Sequence, residues 1–237
     1  MKSIIGWTFA NNLSSSLYYD PIPLGVIQKN RSSSIDGVSA CPAVKVFENR
    51  IFVVRSPYTF RFRAQRNNSG FEFCPVFPDT EVQEDILRSL IEFQPKSNWR
   101  SKNAPILQLS LPYVFFSDVN AYVNQIEAPF DCGLKNWSLI QGRFNIYDWQ
   151  RPINWSIEWI DTSQDLIIKR GQPLFSLLIE TENPDGTLEL KYIERNDEIE
   201  RVLQASNSVS KLTHGTFGLL KEAGKKRPKK LIKSAPK

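Results

Sequence analysis

The clearest pattern in the chain runs from Trp137 to Glu180. From Trp155 to Trp159 apolar and polar residues alternate, with Trp155, Ile157 and Trp159 on one side and Ser156 and Glu158 on the other. A period of two predicts a strand with one buried face. After the polar break 161–165, Leu166-Ile167-Ile168 reads as a second strand and the apolar run after Pro173 as a third. Between them Lys169-Arg170-Gly171-Gln172 reads as a turn. Gly171 supplies the backbone freedom a tight turn needs, and Pro173, lacking an N–H, opens a strand or lies on an edge. Short aromatic strands separated by Gly and Pro turns predict a sandwich or barrel.

The same pattern organises the rest of the chain. Val44 and Val46 alternate before a turn at Asn49-Arg50, Ile51 to Val54 is an apolar strand, and Tyr58, Phe60 and Phe62 alternate with polar residues. This predicts a meander whose wet face carries Arg61, Arg63 and Arg66. Phe71-Glu72-Phe73 starts a further strand. A helix is expected over 80–94, with Thr80 and Gln83 as a capping box, Val82, Ile86, Leu90 and Phe93 at helical spacing, and Pro95 as the stop. Residues 105–116 form a strand pair or one bent strand, and 117–133 are irregular. Leu177–Glu182 and Thr187–Ile193 flank the turn sequence Asn183-Pro184-Asp185-Gly186, which predicts a hairpin. Asn30 to Gly37 is a loop by composition. The N-terminal 1–24, with prolines at 21 and 23, reads as an arm.

The expected architecture is mainly β: an antiparallel β-sandwich or jelly-roll-like domain over residues 1–194 with one inserted helix. A helical segment over 195–223 and a flexible basic tail over 224–237 follow. Length agrees with one large all-β domain, at 237 residues. The net charge of +5 belongs to the end of the chain, because residues 211–237 carry nine Lys or Arg and one Glu. The remainder is slightly acidic. No apolar run is long enough to span a bilayer, and the N-terminus lacks the form of a signal peptide, so the expected location is the cytoplasm in which the chain is made.

The chemistry is sparse. The single histidine, His214, and the scattered Cys41, Cys74 and Cys132 exclude the usual two-His-carboxylate, cupin and zinc-deaminase metal sites. No metal or other cofactor is expected. Phosphate-loop, dinucleotide and nucleophile-elbow motifs are also missing. Six acids, Asp118, Asp131, Asp148, Glu158, Asp161 and Asp165, fall in or beside the central stretch, and two could form a glycosidase pair. Nothing in their spacing selects a pair, and turns account for all of them. The most suggestive cluster is Arg143, Trp149 and Arg151, with Tyr147 and Asp148 between. Arginine beside aromatic rings can stack or hold an anion with its fork. The alternative is a sandwich corner where Trp149 caps the core and Arg151 pairs with Asp148 or an internal carboxylate. Lys225, Lys226, Arg227, Lys229 and Lys230 could contact nucleic-acid phosphates or an acidic protein surface.

The segments Gly142–Ile153 and Ile168–Phe175, with a Trp-x-Arg-Pro element before a strand and an Arg-Gly-x-Pro-Leu turn opening the next, resemble uncharacterised conserved proteins of tailed phages, especially those of marine bacteria. The resemblance covers about residues 40–220 and implies a viral gene product without naming site residues. The function expected on these grounds is a non-enzymatic phage structural or assembly protein that works through self-association or protein partners. A ligand-binding or carbohydrate-active domain and a nucleic-acid accessory protein acting through the basic tail are the alternatives.

Overall fold

The computed structural model describes residues 2–11, 16–28, 41–67, 70–129, 135–184, 186–212 and 217–232. The loop 30–37, Asp131, Cys132, Asp185 and His214 lie outside the described residues. In chain order the strands are β1 (Ser3–Phe9), β2 (Ile22–Pro23), β3 (Ile51–Arg55), β4 (Phe60–Asn67), β5 (Gly70–Pro75) and β6 (Ile91–Phe93). They continue with β7 (Ile106–Leu109), β8 (Tyr113–Ser117), β9 (Ala121–Ile126), β10 (Trp137–Leu139) and β11 (Gly142–Asn145). The last four are β12 (Trp155–Trp159), β13 (Leu166–Ile168), β14 (Pro173–Thr181) and β15 (Leu188–Tyr192). Helices are α1 (Leu24–Gln28), α2 (Pro42–Glu48), α3 (Glu84–Leu90), α4 (Asp197–Leu212) and α5 (Phe217–Lys225).

The chain is a mainly antiparallel, jelly-roll-like β fold. Its sheets are ordered β11-β9-β14-β3-β2, β10-β12-β7-β6, β15-β1-β8 and β13-β4-β5. The central stretch folds as its pattern predicts. Trp155, Ile157 and Trp159 are fully buried while Ser156 and Glu158 face outward. Both indoles satisfy their N–H in the core, Trp155 to the Leu174 carbonyl at 3.1 Å and Trp159 to that of Asp161 at 3.0 Å. A buried indole with its donor paired contributes a large apolar area without a polar penalty. Gly171 has a φ of +80°, and its N–H reaches the Ser56 carbonyl at 2.8 Å. That backbone conformation is open to glycine and strained for other residues.

Several expectations need correction. Residues 44–48 are helical in α2, not a strand; Pro42 sits in the first turn, where its missing N–H costs nothing, and the helix buries no residue. The helix expected over 80–94 shrinks to α3 and gives way to β6. Thr80 caps nothing, because its hydroxyl bonds the Val76 carbonyl at 2.9 Å, and the buried face carries Leu87 instead of Ile86. The irregular stretch 117–133 contains β9, which alternates buried and half-buried residues between β11 and β14 in the five-stranded sheet. Finally, β14 and β15 are not a hairpin. β15 pairs parallel with β1, from Ser3 opposite Leu188 to Trp7 opposite Tyr192.

Arg50 accounts for that crossover. It is 7% exposed, and its guanidinium donates to the carbonyls of Ile179, Asn183 and Gly186 and to the Thr181 hydroxyl. The turn is thereby held to β3 while the chain passes to the other sheet. β1 is consequently a central strand and not part of an arm, buried from Ile5 to Phe9. The segment after it packs on its own domain, with the Tyr19 carbonyl accepting from Tyr113 at 2.6 Å.

Residues 224–232 do not form a free tail. Arg227 is 9% exposed and Leu231 is buried against Val114, Phe116, Ile199, Val202 and Leu203. α4, capped by Asn196 Oδ1 on the amides of Glu198 and Ile199 at 3.0 Å, supplies the facing surface.

Candidate functional site

Where Arg151 lies, several chain crossings meet around a cavity of about 330 Å³. Its walls come from the end of β1, the Tyr18 segment, the end of α3, the β7–β8 connection and the segment before β12. Their backbones are tied to one another. Ala10 N donates to the Pro112 carbonyl at 2.7 Å, Ser110 N to that of Leu90 at 2.8 Å, and Ile153 N to that of Tyr113 at 3.0 Å. Asn154 Oδ1 accepts from Leu111 N at 3.4 Å, and Pro152 bridges to Val114. The rim is therefore assembled before any ligand arrives.

The polar groups on the lining are Asn11, Tyr18, Ser110, Arg151 and Asn154, beside Leu90, Leu111 and prolines 112 and 152. No carboxylate, thiol or imidazole is among them. Arg151 lies over the Trp149 ring, 5.1 Å from guanidinium to centroid, and Trp149 in turn packs on Phe144 at 5.4 Å. Among the described residues Arg151 has no hydrogen-bond acceptor and no ion-pair partner. Burial pushes its pKa below the ordinary arginine value. Burial likewise raises the Tyr18 phenol, which stays neutral at physiological pH.

Of the residues singled out from sequence, Trp149 and Arg151 come together and Arg143 does not join them. Arg143 lies on β11, paired with Glu180 at 2.7 Å and stacked over Tyr122 at 4.3 Å. The expected Arg151–Asp148 pair is also not formed. Asn11, Tyr18 and Ser110 carried no sequence signal, being distant from Arg151 along the chain and unremarkable in their own segments.

Among the described acids singled out from sequence, Asp118, Glu158, Asp161 and Asp165 are each engaged with other groups of the chain. Asp165 takes Arg61 and Arg63 at 2.5 and 2.9 Å, and their hydrogen bonds, Arg63's first, hold its carboxyl below the usual range. Glu158 is held by Arg100 at 2.6 Å. Asp161 binds its own turn through Ser163, which lowers its pKa. Asp118 receives Arg227 at 3.2 Å and the amides of Leu231 and Ile232. No cluster of three or more metal-ligating side chains occurs among the described residues. In the basic segment, Arg227 spends its donors on the Ser117 and Tyr147 carbonyls and on Asp118, so the expected nucleic-acid contact through it is lost. Lys225 pairs with Glu222 at 2.6 Å. Lys226, Lys229 and Lys230 lie within this anchored segment and do not line the Arg151 cavity.

A second cavity, about 620 Å³, is lined in part by Arg50, Phe52, Leu188 and Leu190. It is larger but chemically poorer. Four donor contacts of Arg50 are already made to the chain, and Glu189 is paired with Lys2 at 2.8 Å.

No family model and no curated protein matches the sequence. Among solved structures, the chain is similar to the dUTPase of phage phi11 of S. aureus, at 8% identity and a TM-score of 0.38, over 81% of this chain and 98% of that one. It is similar also to the dUTPase of Staphylococcus bacteriophage 80alpha determined with dUpNHpp, at 8% identity and a TM-score of 0.38, over 86% and 97%. Both are phage proteins. Both are enzymes, which corrects the expectation of a non-enzymatic structural or assembly protein.

No helix among the described residues is long and apolar enough to cross a membrane.

Proposed function

We propose that the chain binds the phosphate group of a small phosphate ester of nucleotide size in the Arg151 cavity. The observation that carries this is the half-buried Arg151, which faces a cavity of neutral polar groups without a carboxylate of its own. A desolvated guanidinium gains most from an anion that can take its fork, and phosphate fits that geometry. Asn11, Ser110 and Asn154 add neutral donors and acceptors, and the Tyr18 ring offers a wall for a sugar or base. The volume lies in the range of small-molecule sites.

Tryptophan fluorescence tests it, since Trp149 lies beneath Arg151. dUTP, the nucleotide named by the phage enzymes, and free uridine are titrated into the full chain. Saturable quenching by dUTP with little response to uridine is expected. Equal responses to the two would sink the reading.

Self-association is the second part of the proposal. α1 and α2 leave Val26, Ile27, Val46 and Phe47 exposed, and apolar groups gathered in this way mark contact surfaces. Light scattering on the purified chain should give an oligomer; a monomer at high protein concentration would remove this part.

A further inference from the structure

The turn that carries Arg151 is held from two directions. From within, Asn145 Oδ1 accepts the amides of Tyr147 and Asp148 at 2.9 and 3.2 Å, and Trp149 N returns to the Asn145 carbonyl at 3.0 Å. The buried Gln150 amide adds bonds to the carbonyls of Ile146 and Tyr147. From outside comes the end of the chain. Arg227 Nη1 donates to the Tyr147 carbonyl at 2.6 Å and to that of Ser117 at 2.8 Å, and its guanidinium covers the Tyr147 ring at 4.5 Å. Asp118 fixes Arg227 and also accepts the amides of Leu231 and Ile232 at 2.7 and 3.0 Å. Gly224 presses against the Asp148 carbonyl so closely that a Cβ would collide with it.

One side chain, Arg227, thus ties the β8 end at Ser117 to the turn at Tyr147, immediately before Arg151. Besides a local bond from Nε to the Pro228 carbonyl at 3.0 Å, its donors are used on two distant carbonyls and one carboxylate. The cost of burying the cation is offset by these contacts only while all three acceptors stay in place. We infer that the segment Gly224–Ile232 is a positioning latch for the Arg151 site, with Arg227 as its positioning residue and Asp118 as its anchor. The latch holds the 145–151 turn in the one arrangement that presents the guanidinium to the cavity. A small misplacement of such a group is enough to lose much of its effect. The inference rests on the phosphate reading of the cavity.

The test uses the full chain, with inorganic pyrophosphate as probe and backbone hydrogen exchange as a second readout. Arg227→Gln should weaken pyrophosphate binding by roughly tenfold, the loss of a charge-assisted hydrogen bond's worth of order in the turn. It should also speed exchange of the Trp149 amide while amides of β9 and β14 keep their protection. Arg227→Lys should restore part of both effects, because an ammonium can reach one or two of the three acceptors. Should Arg227→Gln fail to fold, Gly224→Ala disturbs the same contact without touching charge and should move both readouts in the same direction. Wild-type affinity in Arg227→Gln, alongside lost binding in Arg151→Gln, overturns the latch and leaves the site reading intact. A wild-type chain that does not bind pyrophosphate overturns the site reading and, with it, the purpose assigned to the latch. Unchanged exchange at Trp149 in Arg227→Gln overturns the latch whatever the probe does.

Discussion

Arg50 and Arg151 sit in comparable places, each at the edge of a cavity. They differ in what they do with their donors. Arg50 turns inward and hydrogen-bonds three carbonyls and a hydroxyl along the β14–β15 turn. Arg151 stacks on Trp149 and leaves its N–H groups uncommitted at a polar cavity. Arg227 follows Arg50, with three acceptors from distant parts of the chain. The lesson is that a buried arginine is read by its acceptors. When backbone carbonyls use the fork, the residue holds the chain together. When nothing uses it, the fork is available to an external anion.

The comparison can be broken most forcefully at Arg50. Arg50→Met should lower stability by about 3 kcal/mol, because several turn carbonyls lose their donor at once, as measured by urea unfolding. Phosphate affinity at the other cavity should not change. Arg227→Gln should come next, at about 2 kcal/mol in the same unfolding experiment.

The exposed-side network sharpens the contrast at a smaller scale. Arg63 and Arg61 depress the Asp165 pKa, so this carboxylate contributes stability above its unfolded value of about 3.9. That contribution is lost as pH falls through the lower folded value. Thermal melts from pH 6 downward should therefore show a shallower acid-side loss for Asp165→Asn than for the wild type. Arg151→Gln should have the smallest effect on stability, within about 0.5 kcal/mol, since no protein acceptor is orphaned. Its effect should appear in ligand binding alone. An equal loss of stability in Arg50→Met and Arg151→Gln would erase the distinction.

How much of this could be read from sequence follows the range of the interactions. β12, β13 and β14 and the Gly171 turn were legible because alternation and turn chemistry are local. The partner of β15 was not. Asn183 to Gly186 signals that the chain turns, but the strand that then pairs with it is β1, near the opposite end of the sequence. β9 was hidden because Asn124 and Gln125 interrupt its apolar character, although Gln125 is buried and donates to the Asn154 carbonyl at 2.9 Å. The basic segment 224–232 looked free because composition shows charge and does not show Asp118, which lies far earlier in the chain and pairs with Arg227. At the site, Trp149 and Arg151 stood out as an adjacent aromatic and cation. Asn11, Tyr18 and Ser110 reach the cavity only through the pairing of β1 with β8 and the β7–β8 connection.

The most direct test of the central claim is calorimetric titration of pyrophosphate into the wild-type chain and into Arg151→Gln at low salt. Saturable binding in the wild type, weakened about tenfold or more by the substitution, is the predicted result. Binding that is the same in both chains would show that the uncommitted fork of Arg151 is not what the cavity uses, and would contradict the account.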